Sequence, residues 1–270
     1  MQDFVLMGIV NVTPDSFSDG GRWLDPAAAV AHGLALVADG AGILDVGGES
    51  TRPGARPVGA EEEVARVVPV LEGLAAAGTA AQLSIDTTKA SVAAAALDAG
   101  ATYVNDVTAL RGDPDLAGLV ADRGCDCCLM HMQGEPRTMQ HAPHYEDVVD
   151  EVRAFLEARV AAAVGAGVAE ARIQVDPGIG FGKSVEHNLQ LLAGLERIAA
   201  LGFPVVVGAS RKSFLGTITG REDPLTRVPA TIAANVLAYA HGARVFRVHD
   251  VAAARDALLV AAATLRAHGA

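Results

Sequence analysis

The side chains that could do chemistry recur at one kind of place, just after a short apolar run. Asn11 follows the first run, and Gly47–Gly54, with Thr51, Arg52 and Pro53, follows the second. Asp86, Asn105, His131 and Asp176 follow the next four, the last opening a glycine-rich stretch that carries Phe181. Ser210-Arg211-Lys212 and Arg247-Val248-His249 complete the series. Asp86, Asn105 and Asp176 are short, planar acceptors. They suit a flat ligand with several N–H donors, such as a 2-amino-4-oxo heterocycle, because a carboxylate takes two parallel hydrogen bonds from an amidine-like edge. Arg52, Arg211, Lys212, Arg247 and His249 supply positive charge for phosphate or carboxylate groups, arginine through its planar fork. The side-chain carbonyl of Asn11 suits Mg²⁺ when a diphosphate brings the remaining oxygens. A heterocycle carrying a diphosphate would satisfy all three sets.

These groups need a scaffold that aims them at one point. The apolar runs are Phe4–Val10, Ile43–Val46, Gln82–Ile85, Thr102–Val104, Cys127–Met130, Ile173–Val175, Pro204–Val207 and Val245–Val248. Continuous Val/Ile/Leu runs without polar alternation suit parallel strands buried on both faces. Between them lie Ala-rich stretches with helical spacing, including Pro26–Ala38, Glu61–Ala77, Ser91–Ala99 and Asp147–Val164. Asp25-Pro26 reads as an N-cap followed by proline at the first helical position. Glu61, Glu62 and Glu63 place negative charge where a helix dipole favours it. Gly40, Gly78, Gly100 and Gly202 fall where helices should stop. Eight strand–helix units match a (β/α)₈ (TIM) barrel, a single α/β domain over residues 1–270, whose strand ends converge on one face. A doubly wound open sheet is the alternative.

Composition narrows the function classes. Of 270 residues 51% are hydrophobic and 20% charged, which is too apolar for a disordered chain. A formal charge of −11 argues against nucleic acid or an anionic membrane as the main partner, while leaving room for a local basic pocket. The N-terminus lacks a basic segment before an apolar one, and no run is long enough to span a bilayer, so a cytoplasmic location is expected. Cys125, Cys127 and Cys128 are too few for a disulfide framework and read as a small apolar cluster. A Cys/Cys/His metal site with His131 lacks paired CxxC spacing. Gly182-Lys183-Ser184 resembles the end of a P-loop, but Pro177 stands where its first glycine belongs. Lys183 likewise replaces the third glycine of GxGxxG, and Gly208–Lys212 is no GxSxG elbow because it ends in lysine.

Taken together, Met7–Gly21, Asp45–Pro53, Ile85–Thr87, Asn105-Asp106, Met130–Gln133, Asp176–Lys183, Ser210–Lys212 and Arg247–Asp250 closely resemble the dihydropteroate synthase family, folate-pathway enzymes targeted by sulfonamides. The resemblance runs from the first strand to the last. It implies a (β/α)₈ barrel, usually a homodimer, that joins 6-hydroxymethyl-7,8-dihydropterin diphosphate to 4-aminobenzoate and releases diphosphate. By position it implies that Asp86, Asn105, Asp176 and Lys212 hold the pterin, and that Asn11 contacts Mg²⁺. Thr51, Arg247 and His249 face the diphosphate. Thr51, Arg52, Pro53, Phe181, Ser210 and Lys212 border the aminobenzoate. Asp86, Lys212, Arg247 and His249 are the expected catalytic set. The segments Pro14–Gly21 and Arg52–Pro57 are expected to close over the diphosphate. His131 reads as a hydrogen-bonded wall residue and Asp106 as structural, while Asp45 either braces its loop or touches ligand. A pterin-binding methyltransferase and a non-catalytic pterin-binding paralogue remain the alternatives.

Overall fold

A computed structural model describes residues 3–13, 25–50, 56–134 and 138–268. Its strands are β1 (Val5–Asn11), β2 (Ile43–Gly47), β3 (Gln82–Asp86), β4 (Tyr103–Asp106), β5 (Asp126–Met130), β6 (Ile173–Asp176), β7 (Val205–Val207) and β8 (Ala243–Val248). The helices are α1 (Pro26–Asp39), α2 (Ala60–Ala76), α3 (Ala90–Asp98), α4 (Leu116–Arg123), α5 (Val148–Gly165), α6 (Val185–Ala193), α7 (Leu195–Ala199), α8 (Ser213–Thr219), α9 (Val228–Ala240) and α10 (Val251–His268). The strands pair in chain order and β8 pairs with β1, all parallel, which closes the barrel and excludes the open-sheet alternative.

Helix ends follow local chemistry. The Asp25 carboxylate accepts the Ala27 N–H at 3.3 Å with Pro26 at the first helical position, and Gly40 ends α1 at φ +111°. Asp147 caps α5 through the N–H groups of Val149 and Asp150. Gly78 and Gly100 sit one residue beyond the caps of α2 and α3, both at positive φ.

Strand alternation creates two interiors. Leu6, Leu44, Leu83, Val104, Cys127, Val175, Val207 and Phe246 point outward and pack under the helices. Met7, Ile43, Tyr103, Cys128, Val206 and Val245 point inward and plug the lower barrel. Cys127 and Cys128 therefore face opposite sides, and all three cysteines are buried and free. Nearer the strand C-termini the inward positions turn polar: Asp45, Ser84, Asp86, Asn105, Asp176 and Arg247. The strands are thus not the continuous apolar runs expected from the sequence. Only their outer face is continuously apolar, because it alone meets helices; the upper inner face is left for ligand.

Candidate active site

Register sets the floor of the site. Asn11 pairs with Gly47, Gly47 with Asp86 and Asp86 with Asn105, so three predicted residues share one row across β1 to β4. Above it opens a cavity of about 430 Å³. Asn11, Asp86, Phe181, Ser210, Lys212, Arg247 and His249 line it, as do Met139, Gln140, Ser213 and Arg227. Asn105 and Asp176, expected against the same ligand, are buried below the wall. Thr51, Arg52, Pro53 and the Pro14–Gly21 segment lie outside the described residues.

One buried carboxylate organises the floor. Asp45 is 0% exposed and accepts three bonds: Ser84 Oγ at 2.6 Å, Asn105 Nδ2 at 2.9 Å and Arg247 Nε at 2.6 Å. It therefore braces the wall residue Arg247 from below and does not itself line the cavity. The Arg247 fork continues to Asp86, Nη2 donating at 2.7 Å, so one guanidinium bridges two carboxylates. Burial, opposed by Arg247 and reinforced by Asp45, pushes the Asp86 carboxyl up to about 7. The two carboxylates together hold Arg247 above its ordinary value despite burial. Asp176 is also raised by burial, against the charges of Lys212 and Lys183, and it accepts the Gly178 N–H at 2.6 Å.

The Lys212 side of the cavity is built by the stretch after β6. Lys212 stands at the N-cap of α8, its Nζ 4.6 Å over the Phe181 ring and donating to the Ile179 carbonyl. Burial brings Lys212 down to about 8, opposed by Asp176. A Cβ at Gly208 would sit 3.8 Å from Arg247 Cβ and 3.9 Å from Lys212 Nζ, so the two cations flank that glycine.

Not every cation stays available. Arg211, at φ +57°, donates both arms of its fork to Asp250, at 2.9 and 2.6 Å, and belongs to an internal pair, not to a free anion ligand as expected. The Ser210 hydroxyl lies 2.9 Å from His249 Nδ1 and accepts the His249 N–H at 3.2 Å. The exposed hydroxyl of this motif on the cavity wall is Ser213, the residue after Lys212, to which sequence reasoning assigns no specific role. His131 is hydrogen-bonded, as expected, but it is buried and lines no part of the cavity. Its Nδ1 lies 2.9 Å from Lys183 Nζ, and burial together with that ammonium pushes the ring down to about 3. Asp106 is structural: it accepts the N–H groups of Thr108 and Leu110 and the Thr108 hydroxyl.

Among the described residues no group of three or more His, Cys, Asp or Glu is arranged to hold a metal. The donor set around Asn11 therefore fits Mg²⁺ only as an ion that keeps water and takes most of its ligands from a bound diphosphate. Among the described residues no helix is long and apolar enough to cross a membrane.

Comparison with known proteins agrees with this geometry. Residues 7–249 match the model of the pterin binding enzyme family. A dihydropteroate synthase of Mycobacterium leprae is 51% identical over 269 residues, covering 97% of this chain and 94% of the relative. The structure of the Xanthomonas albilineans dihydropteroate synthase with 4-aminobenzoic acid superposes with a TM-score of 0.90 at 53% identity, over 98% of this chain and 93% of that one. The structure of that enzyme with 7,8-dihydropteroate gives 0.87 at 51% identity, over 97% and 93%. The chain belongs to the pterin-binding enzymes and, within them, to the dihydropteroate synthase family.

Proposed function

We propose that this chain condenses 6-hydroxymethyl-7,8-dihydropterin diphosphate with 4-aminobenzoate, giving 7,8-dihydropteroate and diphosphate. The observation that carries this is the row Asn11–Asp86–Asn105 under a cavity whose rim carries Lys212, Arg247 and His249. Asp86, Asn105 and Asp176 offer the acceptors and amide that a pterin edge requires. Arg247 and Lys212 keep N–H donors beyond those given to Asp45, Asp86 and the Ile179 carbonyl, and these meet the ligand. Arg247 and His249 then face the diphosphate, and Phe181, Ser210 and Lys212 border the aminobenzoate, with Thr51, Arg52 and Pro53 on the loop above.

The C–O bond to diphosphate breaks with its electron pair leaving on the diphosphate, and Arg247 and His249 neutralise that charge as it develops. Asn11 would hold Mg²⁺, whose added charge supports the same departure. The negative charge of Asp86 favours the cationic pterin methylene left behind. The aniline nitrogen of 4-aminobenzoate forms the new C–N bond and loses a proton to solvent. No nucleophilic side chain is needed. We further propose a cytoplasmic homodimer, for which the buried free cysteines and the apolar face of Val236, Ala240, Ala257, Val260, Ala261 and Leu265 on α9 and α10 speak.

The test mixes purified protein with both substrates and Mg²⁺ and follows dihydropteroate and diphosphate together. Equal formation of the two, abolished by a chelator and restored by Mg²⁺, is the expected result. Pterin binding without product would instead mark a non-catalytic binder.

A further inference from the structure

The stretch after β6 holds itself by one turn bond, the Phe181 N–H to the Gly178 carbonyl at 3.0 Å, and by the Gly178 N–H to Asp176 Oδ1 at 2.6 Å. Gly178, Gly180 and Gly182 all adopt positive φ, at 68°, 84° and 64°. Glycines in the left-handed region are free to adopt many other conformations, so the rest of such a stretch is held only if something outside holds it. Here four consecutive carbonyls are each taken by a different side chain. Ile179 O accepts from Lys212 Nζ, Gly180 O from Gln140 Nε2 at 2.5 Å, Phe181 O from Lys183 Nζ at 3.0 Å and Gly182 O from the Tyr145 hydroxyl at 2.8 Å. Asn188 Oδ1 also accepts the Gly180 N–H at 2.6 Å.

Lys183 differs from the other three in its cost. Its side chain is buried, 3% exposed, and lines no part of the cavity. A buried ammonium is expensive unless it is paired. Its partners are Phe181 O and the lone pair of His131 Nδ1 at 2.9 Å, with the Asp176 carboxylate nearby. His131 is in turn fixed, its ring 4.8 Å edge-on to Phe155 and its backbone N–H donating to the Asp176 carbonyl at 3.0 Å. Lys183 thus ties the glycine stretch to the end of β5 from behind.

We propose that Lys183 is a positioning residue for the acceptor side of the site: its buried ammonium fixes residues 178–182, and through them the Phe181 ring and the Ile179 carbonyl that holds Lys212. The role is assigned on the synthase reading above. Loss of the ammonium frees Phe181 O and with it the surface the aminobenzoate ring would lie on. The floor residues Asp86 and Asn105 are untouched, because Asp45 and Arg247 hold them independently.

The test compares wild type, Lys183→Met and Tyr145→Phe. It measures acceptor KM and kcat, pterin affinity by calorimetry, and hydrogen exchange over residues 176–184. For Lys183→Met the acceptor KM should rise on the order of tenfold while kcat stays within about twofold, the size expected of a small displacement of a binding surface, and pterin affinity, which also reads the Asp176 carboxylate beside Lys183, should fall by less than the acceptor KM rises. Exchange over 176–184 should quicken. Tyr145→Phe, which removes one hydroxyl and keeps its ring, should move the same readouts less far. Unchanged exchange, or a fall in kcat at constant acceptor KM, overturns the assignment. If Lys183→Met does not fold, Tyr145→Phe and Gln140→Leu decide it, and unchanged acceptor KM in both overturns it. If wild type makes no dihydropteroate, the synthase reading fails by itself, and exchange over 176–184 still decides whether Lys183 holds the loop.

Discussion

Asp45→Asn is the substitution that separates a braced floor from a merely polar one. The amide keeps one oxygen for the Ser84 hydroxyl, but its nitrogen then faces Asn105 Nδ2 and Arg247 Nε, both of which now donate to Asp45 Oδ2. Two charge-assisted bonds are lost in a fully buried place. Removing one partner of a buried ion pair costs about 3–5 kcal/mol. Arg247 retains Asp86 at 2.7 Å, which places this case near the lower end. About 3 kcal/mol corresponds to a fall in Tm of roughly 6–12 °C for a chain of this size. A second consequence is electrostatic. Asp45 is one of the charges that raise Asp86, so its removal lowers the Asp86 titration from about 7. A pterin edge that donates N–H groups requires the ionised carboxylate, which exists above that titration. In wild type, pterin affinity should therefore weaken as pH falls through about 7, and in Asp45→Asn the weakening should begin at lower pH. Thermal melting and calorimetric titration between pH 5 and 8.5 read both effects. A Tm within a degree or two of wild type, or an unshifted pH dependence, refutes the floor described here.

Three further outcomes follow from other parts of the chain. Lys212→Ala should weaken both substrates; in wild type the acceptor KM should rise as pH passes about 8, where the ammonium discharges, and a flat profile to pH 9.5 counts against Lys212 as the acceptor's cation. Gly178→Ala would drive a Cβ onto the His131 carbonyl oxygen at a φ of +68°, so a loss of at least about 3 kcal/mol in denaturant unfolding is expected, and near-native stability contradicts the packing. Asn235 is 0% exposed on α9 with neither amide atom hydrogen-bonded, so Asn235→Leu, which puts methyls at the same branch point, should stabilise by about 1–2 kcal/mol; a lower Tm would show that the amide has a partner.

Much of this protein is local and so was legible in its amino-acid order. Strand positions follow from runs such as Ile43–Val46, and the starts and stops of helices from Asp25-Pro26 and Gly40, because capping and apolar burial depend on neighbours within a turn or a strand. The polar groups after each run likewise announce where the chemistry lies, since parallel strands of a barrel all end on one face. What closure decides is different in kind. Asp45 and Arg247 stand 202 positions apart and meet because β8 pairs with β1 and β1 with β2. The fate of Arg211 rests on Asp250, that of Ser210 on His249, and that of Phe181 on Lys183 and His131. Each of these depends on which face of a strand or loop a side chain takes and what comes opposite it. That assignment exists only once the barrel shuts, because a hydrogen bond or ion pair is set by ångströms in space and by the water that closure expels, and neither quantity is written in residue spacing.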